Sequence, residues 1–315
     1  MPETAPYFAD IARNDTGAAY WCTTADGVRI RIGVFASTGA RGTVLLFPGR
    51  TEFVEKYGLT AADLAARGYA SLAIDWRGQG LADRVHRNQL IGHVGRFPDY
   101  QHDARAALAL ARELGLPEPF HMIGHSMGGC IGLRALYEAY PVETAVFSAP
   151  KWGIYMGPAL RPVAWGLSAL SRPLGFSGVM APGQRGDPYV LRVGLDENRL
   201  TSDAQMFALM QEQVTKHPEL SIGGPSLHWL HESLTEMRDL MARPAPATPC
   251  LTFLGSEEAI VDAAAIRARI DTWPNGELIV IDGARHEVLL EGPTVRKTIL
   301  DRCAAFFDGH VTAEA

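Results

Sequence analysis

A short apolar run, Phe120-His121-Met122-Ile123, stops at Gly124, and an Ala/Leu-rich helical pattern starts after Gly129. Between them stands Gly124-His125-Ser126-Met127-Gly128, a serine flanked two positions either way by glycine. A strand that reverses sharply into a helix strains the backbone at its apex, and side chains two positions away would collide with the reversal. Glycine at both places removes the obstacle. This is the spacing of a nucleophile elbow. It lifts the Ser126 hydroxyl clear of the backbone, over a helix N-terminus whose free N–H groups and partial positive charge suit a developing oxyanion. Ser126 is the expected nucleophile.

The flanking chain repeats the strand-and-helix rhythm. Residues 28–34 alternate apolar and polar side chains, as a half-buried antiparallel strand does. From Thr43 onward the strand runs 43–47, 69–74, 120–123, 144–147, 250–254 and 278–281 follow, the first of them continuously apolar as in a parallel sheet buried on both faces. Helical patterns over residues 61–67, 103–114, 129–140, 263–272 and 295–307 separate them, with Gly68, Gly115 and Pro117 as stops. Such alternation with right-handed crossovers gives a mostly parallel, doubly wound α/β sheet. The rhythm breaks over residues 151–241, which are rich in Trp, Met, Pro and Gly, with helical patches and no clear buried strand. Residues 1–150 and 242–315 are therefore expected to form the core. Residues 151–241 are expected to be a largely helical lid over the carboxyl ends of the strands, where such sheets bind ligands.

A net charge of −6 gives no electrostatic footprint for nucleic acid, so none is expected as a partner. Cys22, Cys130, Cys250 and Cys303 lie far apart with no C-x-x-C pair, which matches neither a disulfide framework nor a zinc site and suits a reducing compartment. The stretch Met1-Pro2-Glu3-Thr4-Ala5-Pro6 has neither the positive nor the apolar region of a signal peptide. Arg161 and Arg172 break the best candidate for a membrane span. The expectation is a cytoplasmic protein without an integral membrane segment, for which peripheral contact with a membrane stays open.

A serine nucleophile needs a base, and the base needs a carboxylate to hold its tautomer. With this kind of elbow the chain order is serine, acid, histidine. Of ten histidines, His286 is placed best, beyond the strand at 278–281 and a turn containing Gly283. The acid belongs just after Leu254, in Gly255-Ser256-Glu257-Glu258-Ala259-Ile260-Val261-Asp262. Glu257, Glu258 and Asp262 compete there and spacing does not choose, although Asp262 also reads as a helix N-cap. The oxyanion hole needs two N–H groups: Met127 after the nucleophile, and Arg50 in the loop Pro48-Gly49-Arg50-Thr51-Glu52.

Four stretches together carry a resemblance: Phe47-Pro48-Gly49-Arg50-Thr51-Glu52, Asp75-Trp76-Arg77-Gly78-Gln79-Gly80, Gly92-His93-Val94-Gly95-Arg96-Phe97-Pro98-Asp99-Tyr100 and Gly124-His125-Ser126-Met127-Gly128-Gly129. They resemble the bacterial lysophospholipase L2 branch of the α/β-hydrolases, with monoacylglycerol lipases and serine aminopeptidase-like hydrolases similar but further off. Ser148-Ala149-Pro150, Gly223-Gly224-Pro225-Ser226-Leu227-His228-Trp229 and Ala284-Arg285-His286-Glu287 extend it over nearly the whole chain from about residue 25. The resemblance implies an α/β-hydrolase fold without a cofactor. It puts the acid on Glu258, three residues after Gly255, where monoacylglycerol lipases carry Asp. The activity it implies is cleavage of small lipid-like esters through an acyl-enzyme. The alternatives are an aminopeptidase or amidase, with Glu52 or Glu55 near the site for a substrate ammonium, and a general short-chain carboxylesterase. A non-catalytic binding protein is disfavoured by the intact triad.

Substrate contacts are expected from Trp152 and, within the resemblance, from His228 and Trp229. Trp152, Met156, Leu160, Val163, Trp165 and Leu167 fit an apolar acyl site and ordinary helical core equally. Residues 77–96 are locally basic, and Arg84, Arg87 and Arg96 are the candidates to receive a phosphate head group. Gly78-Gln79-Gly80 is not a dinucleotide fingerprint, because Asp83 stands where the third glycine belongs. His228, His231 and Glu232 do not spell H-E-x-x-H, and no metal is expected.

Overall fold

A computed structural model describes residues 2–157 and 159–310. Among them one sheet is formed by β1 (Glu3–Ala5), β2 (Gly17–Thr23), β3 (Arg29–Phe35), β4 (Thr43–Phe47), β5 (Ala70–Asp75), β6 (Phe120–His125), β7 (Thr144–Ser148), β8 (Cys250–Gly255) and β9 (Gly276–Ile281). Their order is β1-β2-β3-β5-β4-β6-β7-β8-β9. The pairs from β1 to β5 are antiparallel, and all pairs from β5 through β9 are parallel. The helices are α1 (Ala9–Ala12), α2 (Gly58–Ala65), α3 (Tyr100–Glu113), α4 (Met127–Tyr137), α5 (Leu160–Ser171), α6 (Ala204–Lys216), α7 (Leu227–Met241), α8 (Ala263–Asp271) and α9 (Pro293–Asp308). None of the described helices is long and apolar enough to cross a membrane.

The apolar side chains fall into two large clusters, one on each face of the sheet. One joins α3, α4 and α8 to the sheet through residues such as Leu110, Ile131 and Ile266, and the other joins α2 and α9 through Leu64, Ile299 and Phe307. A sheet covered on both faces by helices is the doubly wound arrangement expected from the alternating pattern. Residues 151–241 contribute α5, α6 and α7 and, among the described residues, no strand, and they touch the core through the bridges Gly92↔Pro225 and Ile154↔Val261.

Three sequence expectations need adjustment. Strands β1 and β2 are additional: β1 is three residues long, and the half-exposed residues of β2, Gly-Ala-Ala-Tyr-Trp-Cys-Thr, carry neither a continuous apolar run nor a clean alternation. Helices α2, α3 and α4 each begin two or three residues earlier than their apolar patterns suggest, so α4 starts directly behind Ser126. The alternation in β3 suggests Arg29 and Arg31 both facing water, but only Arg29 is exposed. Arg31 is fully buried, with Nε 2.7 Å from Asp75 Oδ2 and Nη2 2.7 Å from Glu55 Oε2. Its charge is tolerated there because two carboxylates face it.

Register explains what meets at the carboxyl ends. β4 pairs with β6 at Phe47↔Gly124, so the loop after β4 runs beside Ser126. β6 pairs with β7 at His125↔Ser148, and β8 with β9 at Gly255↔Ile281. The strand order reverses between β4 and β6, and that switch point opens the crevice.

Candidate active site

Ser126 sits at φ 48°, ψ −114°, in backbone space that residues with a Cβ rarely occupy. The turn is held from both sides. Ser126 N–H donates to Ser148 O (3.0 Å), and Ser126 O accepts from Gly129 N (3.0 Å) and Lys151 N (2.8 Å). The glycines are required sterically: a Cβ on Gly128 would lie 1.8 Å from Phe47 O, and one on Gly124 would lie 3.0 Å from Gly128 O. Ser126 then stands at the N-terminus of α4, whose first N–H groups point toward it.

The loop after β8 brings a carboxylate to the loop after β9. His286 Nδ1 is 2.7 Å from Glu258 Oε2, and both side chains are buried. Glu258 Oε1 accepts from Ile260 N (2.6 Å) and Val261 N (3.0 Å). Burial opposes charge on Glu258, but His286 and the two N–H donors outweigh it and hold the carboxyl below its ordinary range. Of its competitors, Glu257 is exposed and faces Arg285, while Asp262 caps α8 by accepting from Ala264 N (3.0 Å) and Ala265 N (3.2 Å).

Beside Ser126 the loop after β4 carries the Arg50 amide. Among the described residues neither that amide nor Met127 N–H meets a protein acceptor. The loop is braced from the segment after β5. Trp76 Nε1 donates to Pro48 O (2.9 Å), Gln79 Nε2 donates to Gly49 O (3.0 Å), and Gln79 Oε1 accepts from Thr51 N (3.0 Å). Gln79 thus grips the peptides on both sides of Arg50. The motif around Gln79 gives no sign of this role, since a bond across 28 or 30 residues leaves no periodic signal.

Ser126 and His286 line a common cavity of about 890 Å³, along with Arg50, Lys151, Met156, Leu160, Val163, Leu167, Met210 and Trp229. The structure records no hydrogen bond between Ser126 and His286; such contacts often close only around substrate.

Comparison with known proteins agrees with this geometry. Residues 38–293 match the family described as serine aminopeptidase, S33. The chain belongs to that family. Lysophospholipase L2 of Escherichia coli is 30% identical to it over 303 residues, covering 91% of this chain and 86% of that protein. Monoglyceride lipase of Saccharomyces cerevisiae is 25% identical, covering 87% of each. The crystal structure of a soluble variant of the yeast lipase superposes with a TM-score of 0.70 at 20% identity, covering 93% of this chain and 95% of that one. The fold is therefore the α/β-hydrolase fold.

Within this family member, the expected substrate contacts divide. Trp229 lines the cavity. Trp152 lines a neighbouring apolar cavity of about 440 Å³ instead, with its indole packed on Phe147 (5.0 Å between centroids) and Trp273 (6.0 Å) and donating to Gly129 O (3.1 Å). His228 Nε2 is bonded to Gly95 O (2.7 Å), outside the cavity lining. The three arginines are not brought to it either. Arg84 spends its guanidinium on the carbonyls of Gly78 (2.7 Å) and Gly80 (2.6 Å), Arg87 is exposed, and Arg96 is exposed beside Asp99. The basic stretch is largely structural: Arg77 pairs with Asp26 and Asp103. Met156, Leu160, Val163 and Leu167 do line the cavity, and Trp165 lines the neighbouring apolar one.

A buried ionic cluster, which no sequence pattern signals, borders the same cavity beside Ser126 and His286. Lys56 Nζ is 2.6 Å from both Glu52 Oε1 and Glu287 Oε1, and Tyr57 OH donates to Glu52 Oε2 (2.6 Å). His125 Nε2 faces Glu287 Oε2 at 3.3 Å, and its ring is 4.9 Å from that of His286. Burial alone would raise the Glu287 carboxyl, but Lys56 and His125 pull it well below its usual range. Glu52, His125 and Glu287 are close enough to ligate a cation. The positive charge that such an ion would supply comes here from Lys56.

Proposed function

We propose that the chain is a serine hydrolase that cleaves the carboxylic ester of a lysophospholipid- or monoacylglycerol-like lipid through an acyl-enzyme. The observation that carries this reading is the 2.7 Å bond between His286 Nδ1 and Glu258 Oε2, in a cavity lined by Ser126. Glu258 keeps a proton on Nδ1 and leaves Nε2 free to take the Ser126 proton as the hydroxyl attacks the ester carbonyl. The Arg50 and Met127 N–H groups receive the oxyanion, in a pocket where fixed dipoles need no reorganisation. The imidazolium, steadied by Glu258, protonates the leaving alcohol, and water repeats the sequence to release the acid.

The lipid-like substrate is supported by the names of the relatives and by the Met, Leu and Val side chains that α5 and α6 present to the cavity. Residues 151–241 then act as a lid. Leu160, Val163, Leu170 and Leu174 are more than half exposed on or just beyond α5, which suits delivery of substrate from a lipid surface. All four cysteines are free thiols, which suits the cytoplasm.

The aminopeptidase alternative requires a carboxylate available to a substrate ammonium. Glu52 is already bonded to Lys56 and Tyr57, and Glu55 is buried against Arg31. The ester reading is favoured for that reason. A fluorophosphonate probe should label the wild type and not Ser126→Ala, and turnover of a p-nitrophenyl ester should fall by on the order of 10⁴–10⁶. Labelling that persists in the variant overturns the nucleophile assignment.

A further inference from the structure

Among the cations that border the cavity, Arg50, Lys151 and Arg199 have no carboxylate partner among the described residues; Arg199 is exposed to water, whereas Arg50 and Lys151 lie deeper, on the ring of Trp229. Arg50 Nη1 donates to Gly223 O (2.8 Å), and its guanidinium lies 5.7 Å from the centre of the Trp229 ring. Lys151 follows β7, and its backbone N–H donates to Ser126 O (2.8 Å). Its ammonium lies 4.1 Å from the centre of the same Trp229 ring and 4.9 Å from that of Phe97, and it donates to Ser233 Oγ (2.7 Å). Among the described residues no carboxylate lies within ion-pair distance of either cation. Glu236 acts on Lys151 from α7, but Arg134 holds it. The contrast is local: Lys56 is matched by Glu52 and Glu287, and Arg31 by Glu55 and Asp75.

Burial disfavours both charges and pushes Lys151 down to about 7 and Arg50 down to about 10. An apolar side chain of similar volume at position 151 would avoid that cost. An anion entering the cavity would neutralise both cations and accept short charge-assisted bonds from them. Each side chain also starts at the reaction centre. Arg50 carries the expected oxyanion amide, and the Lys151 backbone is bonded to Ser126. Both charged groups lie on the Trp229 ring, which borders the same cavity as Ser126, so an anion drawn to that ring would belong to a substrate whose ester lies at Ser126.

Resting on the ester-hydrolase reading above, we propose that Arg50 and Lys151 form an anion subsite for the phosphodiester of a lysophospholipid head group, selecting such esters over neutral monoacylglycerols. The subsite lies inside the cavity, away from Arg84, Arg87 and Arg96.

The test compares 1-lauroyl lysophosphatidylcholine with 1-lauroylglycerol, which share one acyl chain, on wild type and Lys151→Met. The ratio of the two kcat/KM values should fall about tenfold or more in the variant, as expected for losing a hydrogen bond to a charged group. The Tm of Lys151→Met should be equal to or above that of wild type, whereas a lysine present only to hold Ser233 predicts a fall. Inorganic phosphate should compete with 1-lauroylglycerol on the wild-type protein, a readout that needs no variant. Both esters cleaved with an unchanged ratio and no phosphate competition would reject the subsite and leave the hydrolase standing. Phosphate competition with an unchanged ratio would mean a free-phosphate site and reject the head-group assignment. Neither ester cleaved by wild type would reject the hydrolase reading itself.

Discussion

Glu258 is fixed at both oxygens: Oε2 lies 2.7 Å from His286 Nδ1, and Oε1 takes the amides of Ile260 and Val261. A carboxylate held this way sets both the orientation and the tautomer of the ring. Glu258→Gln should lower kcat by ~10⁴, because an amide can turn its NH₂ toward Nδ1 and select the wrong tautomer. Glu257→Gln removes an exposed carboxylate and should change kcat by no more than about twofold. Steady-state kinetics on a p-nitrophenyl ester decides between them, and a crippled Glu257→Gln would reverse the assignment.

Gln79 bonds the peptides on both sides of Arg50. Gln79→Ala frees the peptides on both sides of Arg50 and should lower kcat by about 10- to 100-fold through misplacement of the oxyanion amide. KM should stay nearly constant. A variant with raised KM and intact kcat would show that Gln79 shapes the binding pocket instead.

The cavity's apolar lining sets an acyl preference. Each methylene buried contributes about 0.8 kcal/mol, so kcat/KM should climb by up to about fourfold per methylene from acetyl toward decanoyl esters. A series of p-nitrophenyl esters measures this directly. Fastest cleavage of acetyl would identify a short-chain carboxylesterase.

Lys151 should leave a signature in stability against pH. Its folded pKa is lowered to about 7 from 10.5, so between those values the unfolded chain binds a proton that the folded chain does not. Wild-type stability relative to Lys151→Met should therefore rise as pH increases from about 7 to 10.5, and the handicap of wild type should be full at or below pH 7. Urea unfolding of both proteins at several pH values gives the difference. Parallel curves would show that the amine is not desolvated.

The parallel half of the sheet was legible in the sequence because strands buried on both faces must be apolar, and the elbow because its glycines answer a steric demand. Ser126, His286 and the Arg50 and Met127 amides follow from strand order, which the register Phe47↔Gly124 makes physical. The acid was narrowed to three residues by spacing and to Glu258 by resemblance, while the contact with His286 is a tertiary fact. What escaped was long-range pairing. Arg31 reads as a solvent-facing position until Glu55 and Asp75 are seen opposite it. Arg84 reads as free surface charge until the carbonyls of Gly78 and Gly80 absorb it. Lys151, straight after Ser148-Ala149-Pro150, carried no pattern of its own; only the lack of a partner in three dimensions makes it conspicuous.

Arg50 has its peptide in the loop beside Ser126 and its guanidinium on Gly223 O, within residues 151–241. One residue thus straddles a seam: its peptide is anchored to the core by Gln79, while its long side chain reaches across to residues 151–241. A substitution at position 50 that keeps the backbone, such as Arg50→Met, therefore separates what the peptide does from what the side chain holds.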